Sequence, residues 1–306
     1  MITLRGLTKR YGETVAVDDL TLDVEEGRVT GFLGPNGAGK STTMRMILGL
    51  DHPTAGTALI DGRPYAQLPC PLREVGALLD AKALHPARSA RGHLNSQARS
   101  NGIPVRRVDE VLEQVGLAKV ARKRAGAFSL GMYQRLGIAG ALLGDPKVLV
   151  LDEPVNGLDP EGVRWVRELV REQAARGRTV FLSSHLMSEM QLTADRLVVI
   201  GRGHLLADLP MAELLARSAS ASVHVRTAEP EELRLLAGKL DDVDVSGETT
   251  LVARGTTSAA VGDLAHHIGV RLHELHPVTA SLEQAYMELT AQSVEYGTTG
   301  EPKAGL

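Results

Sequence analysis

Gly34, Pro35, Asn36, Gly37, Ala38, Gly39, Lys40 and Ser41 form an unbroken G-x-x-x-x-G-K-S run. Glycines at these spacings let successive backbone N–H groups curl around phosphate oxygens, and a helix that starts here directs its partial positive charge at them. A lysine at the end of such a run bridges the terminal phosphates, and the hydroxyl after it is an oxygen ligand for Mg²⁺. The pattern needs a strand before it and a helix after it. Thr30 to Leu33 reads as the strand and the segment running to Leu48 as the helix. With Thr42 in the first helical turn, residues 34–42 are the candidate phosphate site of a nucleoside triphosphate.

Two more polar groups fall at strand ends. Val148 to Leu151 is an apolar run that ends in Asp152-Glu153-Pro154, and ligands of doubly wound sheets bind at the carboxyl ends of strands. Asp152 is therefore expected to hold Mg²⁺, and Glu153 to orient or deprotonate the attacking water. Taken alone, the same tripeptide could simply start a helix. Thr179 to Ser184 is a further strand-like run followed by His185, which could hydrogen-bond the terminal phosphate or be a structural polar residue.

These groups require an α/β scaffold. Up to about Leu209 short β-branched segments alternate with amphipathic ones, the pattern of a largely parallel sheet. Ile2 to Val24 reads instead as strand, turn at Tyr11-Gly12-Glu13, and strand, an antiparallel piece appended to that sheet. A first domain is expected over residues 1–217 and a second over 218–292, after a Ser/Ala-rich joint. The second domain reads in the order βαββαβ, a ferredoxin-like arrangement, with a last helix from Ser281 to Gln292. Residues 293–306 form a tail whose Gly/Thr/Pro segment has too little apolar content to fold.

The 306 residues are 43% hydrophobic and 23% charged with a formal net charge of −3, so bulk charge attracts neither nucleic acid nor an anionic membrane. The single cysteine, Cys70, forms no internal disulfide and suits a reducing compartment. Neither a secretory signal nor an apolar run of the roughly 20 residues needed to span a bilayer is present. If the protein drives transport, another chain forms the path.

Ser129-Leu130-Gly131-Met132, followed by Tyr133-Gln134-Arg135, resembles the signature sequence of ATP-binding cassette nucleotide-binding domains, and the likeness covers roughly Ile2 to Leu209. It implies a phosphate-loop cassette domain with a helical signature subdomain, ATP and Mg²⁺ as ligands, and ATP hydrolysis. It also implies a second copy of the chain, whose Ser129, Gly131 and Met132 clamp the ATP held by the first. Read alone, Ser129 is a helix cap with no ligand.

By the same resemblance Tyr11 stacks on adenine, although a tyrosine before a turn glycine can be plain packing. Asp159, in Gly157-Leu158-Asp159, belongs to the loop coupling the two sites, or merely caps the helix after Pro160. Asp80 stands where the family usually has a glutamine that senses Mg²⁺, and a carboxylate there is still a metal ligand. Leu130 replaces the commoner first signature glycine, so its side chain must point away from phosphate. The segment around Asp80, the signature and the second domain resemble exporters of the bacitracin- and daunorubicin-resistance type. That implies a separate transmembrane permease, a cytoplasmic position on the inner face of the membrane, and a drug, peptide or lipid-like cargo.

A soluble cassette ATPase acting on a non-membrane partner is the alternative. Ser41 to Phe128 leaves no room for the coiled coil of DNA-acting cassettes, and one cassette is present where ribosomal ones carry two. No Asn-Lys-x-Asp guanine motif occurs. His266, His267, His273 and His276 raise a metal-binding module as a third reading, but histidines spread over a helix end and a strand are expected to be solvated or packed.

Overall fold

The structure, a computed structural model, describes residues 1–81, 83–218, 222–278, 282–283 and 285–287. The chain divides into two compact units between Met211 and Ala212, earlier than the boundary expected after residue 217.

The first unit begins with β1 (Ile2–Tyr11), β2 (Thr14–Val24), β3 (Val29–Leu33), α1 (Lys40–Ile47) and β4 (Ala55–Ile60). There follow α2 (Pro71–Glu74), β5 (Val75–Leu78), α3 (Ala90–Ser100), α4 (Arg106–Gln114) and α5 (Leu130–Leu142). It ends with β6 (Val148–Leu151), α6 (Pro160–Ala175), β7 (Thr179–Ser183), α7 (Met187–Thr193), β8 (Arg196–Gly201) and β9 (His204–Pro210). Six strands form one sheet in the order β5-β6-β7-β3-β8-β9. Its pairs are parallel except β8 with β9. Every residue of β3, β6 and β7 is buried, which is why these strands read as continuous apolar runs rather than alternating ones.

The antiparallel piece differs from expectation. β1 pairs with β2 on one side and β4 on the other in a separate three-stranded sheet, order β2-β1-β4, rather than extending the parallel one. Packing joins the sheets instead: Ile2, Leu4, Leu20 and Leu22 share one core with Phe32, Met44, Ile47 and Phe181. Phe32 and Phe181 lie on adjacent strands with ring centroids 4.9 Å apart. Burying each such side chain stabilises by about 1.5–3 kcal/mol, so the strands that present the polar loops are rigidly held. Between β5 and β6, the buried Leu94, Val108, Val111, Leu112, Leu136 and Ile138 hold α3, α4 and α5 together.

After α8 (Met211–Ser218), the second unit contains β10 (Ser222–Thr227), α9 (Pro230–Ala237), β11 (Val243–Val245), β12 (Thr250–Arg254), α10 (Ser258–Ile268) and β13 (Leu272–Val278). Its antiparallel sheet has the order β11-β12-β10-β13. Val223, Val225, Leu251 and Ala253 face Leu233 and Leu236 of α9 and Val261 and Ala265 of α10 in a separate core. Because side chains alternate along a strand, His224 and Arg226 project from the opposite face. α10 is capped by Thr257, whose hydroxyl accepts from the Ala260 N–H at 3.2 Å, and stops at Gly269, where φ is 75°. Of the helix expected over 281–292, residues 282–283 and 285–287 are described and helical; its remainder and the tail at 293–306 lie outside the described residues.

Candidate active site

The phosphate loop leaves the carboxyl end of β3 and enters α1, with its shape fixed by two glycines. Gly37 has φ 80° and Gly39 φ 106°, conformations that L side chains avoid. A Cβ on Gly39 would also stand 2.4 Å from the Ala16 carbonyl oxygen. Thr43 ties the loop to the helix, its hydroxyl donating to the Gly39 carbonyl at 2.9 Å. Lys40 is 8% exposed, and its Nζ donates to the carbonyls of Gly34 at 2.5 Å and Pro35 at 3.2 Å. Burial pulls its ammonium below the ordinary lysine value, while the nearby Glu153 and Asp152 carboxylates oppose that shift.

The carboxylates arrive from β6. Ser41 Oγ donates to Asp152 Oδ2 at 2.6 Å, bringing helix start and strand end together. Glu153 has φ 50°, an uncommon conformation for a non-glycine residue that costs on the order of 1–3 kcal/mol and must be held by its surroundings. Its contacts hold it: the Ser183 hydroxyl accepts from the Glu153 N–H at 3.0 Å, Gln134 Nε2 and the Asn156 N–H donate to its carbonyl at 3.0 and 3.1 Å, and His185 Nδ1 lies 2.7 Å from Oε2. The strained turn aims the carboxylate back over the sheet edge at the imidazole that follows β7.

Ser183 and Gln134 also shape the site, and neither belongs to a catalytic motif of the sequence. Ser183 Oγ also donates to Asp152 Oδ1 at 2.5 Å, so one hydroxyl fixes both carboxylate-bearing residues. Its signal was available, since Leu151 pairs with Leu182 in register and a serine in the next row sits opposite Asp152. Gln134 is one α5 turn beyond Leu130, and nothing local to it marks the contact with Glu153.

Two open clefts meet at the carboxylates. One is lined by Ala16, Asn36, Lys40, Ser41, Asp152 and Glu153, with Gly37, Gly39 and Thr42. The other shares Asp152 and Glu153 and adds Asp80, Leu130, Gln134 and Asn156. Asp80 is thus brought to the site. Tyr11, Ser129, Gly131, Met132 and Asp159 do not line the first cleft. The Tyr11 hydroxyl donates to Asp51 at 3.1 Å, and Lys9 Nζ lies 4.9 Å from its ring centroid. Ser129 caps α5, accepting from the Met132 N–H at 3.3 Å, and Asp159 caps α6, accepting from the Gly162 N–H at 2.8 Å. Gly131 packs beside Leu158, and the side chain of Leu130 fills the space a Cβ on Gly157 would need, leaving it 2.1 Å from Leu130 Cδ2.

A strand, a phosphate-cradling loop, a helix and carboxylates on a neighbouring strand end together define a phosphate-loop nucleoside triphosphatase. Residues 17–156 match the ABC transporter family, and residues 221–283 match a domain of unknown function. The chain is 35% identical to an uncharacterized ABC transporter ATP-binding protein of Bacillus subtilis, over 96% of this chain and 97% of that one. It is 43% identical to the bacitracin transport ATP-binding protein BcrA of Bacillus licheniformis, over 71% and 72%. With the Nod factor export ATP-binding protein I of Rhizobium sp. it shares 35% over 96% and 98%. A solved ATP-binding subunit of an ABC transporter superposes with a TM-score of 0.65 at 28% identity, covering 71% of this chain and 92% of that one. A dimeric bacterial ABC transporter cassette gives 0.64 at 25%, covering 69% and 99%. The chain belongs to the ABC transporter family as an ATP-binding, ATP-hydrolysing subunit. Among the described residues no helix is long and apolar enough to cross a membrane.

Proposed function

We propose that two copies of this chain enclose two Mg²⁺-ATP molecules and drive export of a drug, peptide or lipid-like compound through a separate transmembrane permease, from the cytoplasmic face of the membrane. The observation that carries the reading is the gathering of Lys40, Ser41, Asp152, Glu153, Ser183 and His185 at one sheet edge. Export rests on the bacitracin and Nod factor relatives, which also weigh against a soluble cassette with a non-membrane partner.

Lys40 neutralises the terminal phosphates, exchanging its two loop carbonyls for phosphate oxygens. The Ser41 and Asp152 oxygens, already 2.6 Å apart, are the hard donor set that fits Mg²⁺, with Asp80 at the adjoining cleft. The metal supplies charge neutralisation across the phosphates. Glu153 orients the attacking water and takes its proton, and His185 positions that carboxylate and reaches for the terminal phosphate. Ser129, Gly131 and Met132 stand outside the cleft of their own chain, which supports their clamping the nucleotide of a second copy; the free N–H groups at the start of α5 are suited to phosphate. Tyr11 offers its ring to adenine, and Asp159 belongs to the loop between the sites. The strand order of the second unit supports a ferredoxin-like accessory domain that tunes assembly or regulation.

Size-exclusion chromatography of Glu153→Gln with and without Mg²⁺-ATP tests the arrangement. A shift to a dimer on adding nucleotide is expected. A variant that stays monomeric at saturating ATP removes the two-copy reading.

A further inference from the structure

The second unit carries a side-chain cluster that the nucleotide chemistry does not use. On the sheet face opposite α9 and α10, His224 of β10 pairs in register with His276 of β13, and Arg226 pairs with Glu274. The two imidazoles stack with centroids 4.6 Å apart and planes inclined by 28°. Glu274 is divided between two neighbours. Its Oε1 accepts from Arg226 at 3.0 and 2.5 Å, while Oε2 faces His224 Nδ1 at 3.9 Å. That gap is too long for a hydrogen bond, and the buried His224 Nδ1 has no hydrogen-bond partner among the described residues. A buried polar nitrogen without a partner is uncommon and asks for one.

We propose that His224, His276 and Glu274 bind a divalent transition-metal ion of the Zn²⁺ class. One ligand atom from each residue lies within 4.8 Å of the others. Bonds of about 2.0–2.2 Å in a tetrahedron bring such atoms to roughly 3.4 Å, so the three must close by up to about 1.4 Å. Small rotations of side chains on an open sheet face supply that closure. Two imidazoles and one carboxylate with a fourth position open to solvent are a donor set suited to zinc, nickel or copper, whereas Mg²⁺ prefers oxygen ligands only. The metal ion would supply the missing partner of Nδ1 and separate the stacked rings as ligands of one centre. Arg226 has a defined part: by holding Oε1 it orients the carboxylate so that Oε2 points at the imidazoles, the usual work of a group behind a metal ligand. The site stands independently of the nucleotide-binding reading, because every residue in it belongs to the second unit.

The test is isothermal titration of Zn²⁺ into the chelator-treated full chain, with Mg²⁺-ATP saturating so that the oxygen ligands of the first unit are occupied. One Zn²⁺-dependent event per chain is expected that weakens more than about tenfold in His224→Ala and in His276→Ala, and about tenfold in Glu274→Gln. In the unmutated chain labelled with ¹⁵N-histidine, Zn²⁺ should shift two imidazole nitrogen resonances together, a readout that does not depend on any variant folding. Unchanged Zn²⁺ affinity in both histidine variants, loss in only one of them, or no shifted histidine pair overturns the site.

Discussion

The two units place their polar groups by different means. In the first, Lys40, Asp152 and His185 lie beyond the ends of adjacent parallel strands, β3, β6 and β7, and the shared edge of one sheet gathers them. In the second, His224 and His276 lie 52 positions apart (276 − 224) and meet because two antiparallel strands pair in one register. The first arrangement relies on positive φ at Glu153 and Gly39, and the second on extended strands held in one register over residues 222–226. A site built on turns is written in contiguous residues, whereas one built on register is written in pairs that no short motif contains.

The contrast predicts unequal responses to substitution. The largest expected effect is Lys40→Ala, which leaves phosphate charge uncompensated in a buried loop. ATP affinity, read by fluorescence titration, should fall by about 100-fold or more, since charge-assisted contacts are worth about 1.5–3 kcal/mol each and the loop carbonyls now aimed at Nζ would face phosphate. Wild-type affinity would dissociate the loop from nucleotide binding. Glu153→Gln comes next. Binding should persist while steady-state hydrolysis drops by about 100-fold or more, the usual scale for loss of a positioned base; a rate within a few-fold of wild type would reassign that carboxylate.

Ser183→Ala should reduce hydrolysis by about tenfold with little change in ATP affinity, because it leaves the Glu153 N–H and Asp152 without their shared partner, a penalty of about 1–3 kcal/mol. An unchanged rate would show that Gln134 and His185 suffice to hold the turn. The smallest catalytic effect belongs to Asp80→Gln, which still presents an oxygen to the metal and should cost only a few-fold in turnover. A folded but inactive variant would give the carboxylate a specific task. Removing residues 218–306 should leave a soluble chain with nearly intact ATP binding, measured by the same titration. Loss of binding would make the two units one folding entity.

Legibility followed the same division. The phosphate loop and the Asp152-Glu153 pair could be read from the sequence because local backbone chemistry dictates them: glycines where φ is positive, and a buried strand ending in charge. Ser183 could have been found only by aligning β6 with β7, and Gln134 not at all without knowing how α5 lies against the turn. The antiparallel pairing of β1 with β2 is legible in the sequence, but the third strand is not, because β4 has exposed residues over its first half and carries no strong alternation. His266, His267, His273 and His276 are neighbours in sequence, yet His276 stacks on His224 from a distant strand, since strand pairing decides proximity.

The contact between Leu130 and Gly157 bears on how this molecule can change over generations. The signature leucine lies where a side chain at residue 157 would have to be, so the two positions form an interlock. A side chain at 157 requires that of Leu130, which is 43% exposed, to turn aside or to be replaced by a smaller one. Gly157 adds a second restriction through its φ of 75°, which few other residues tolerate. Replacement is therefore freer at 130, whose side chain can turn aside, than at 157, whose backbone conformation cannot. A departure from the usual signature glycine at one end of α5 thereby constrains the loop that leads into α6.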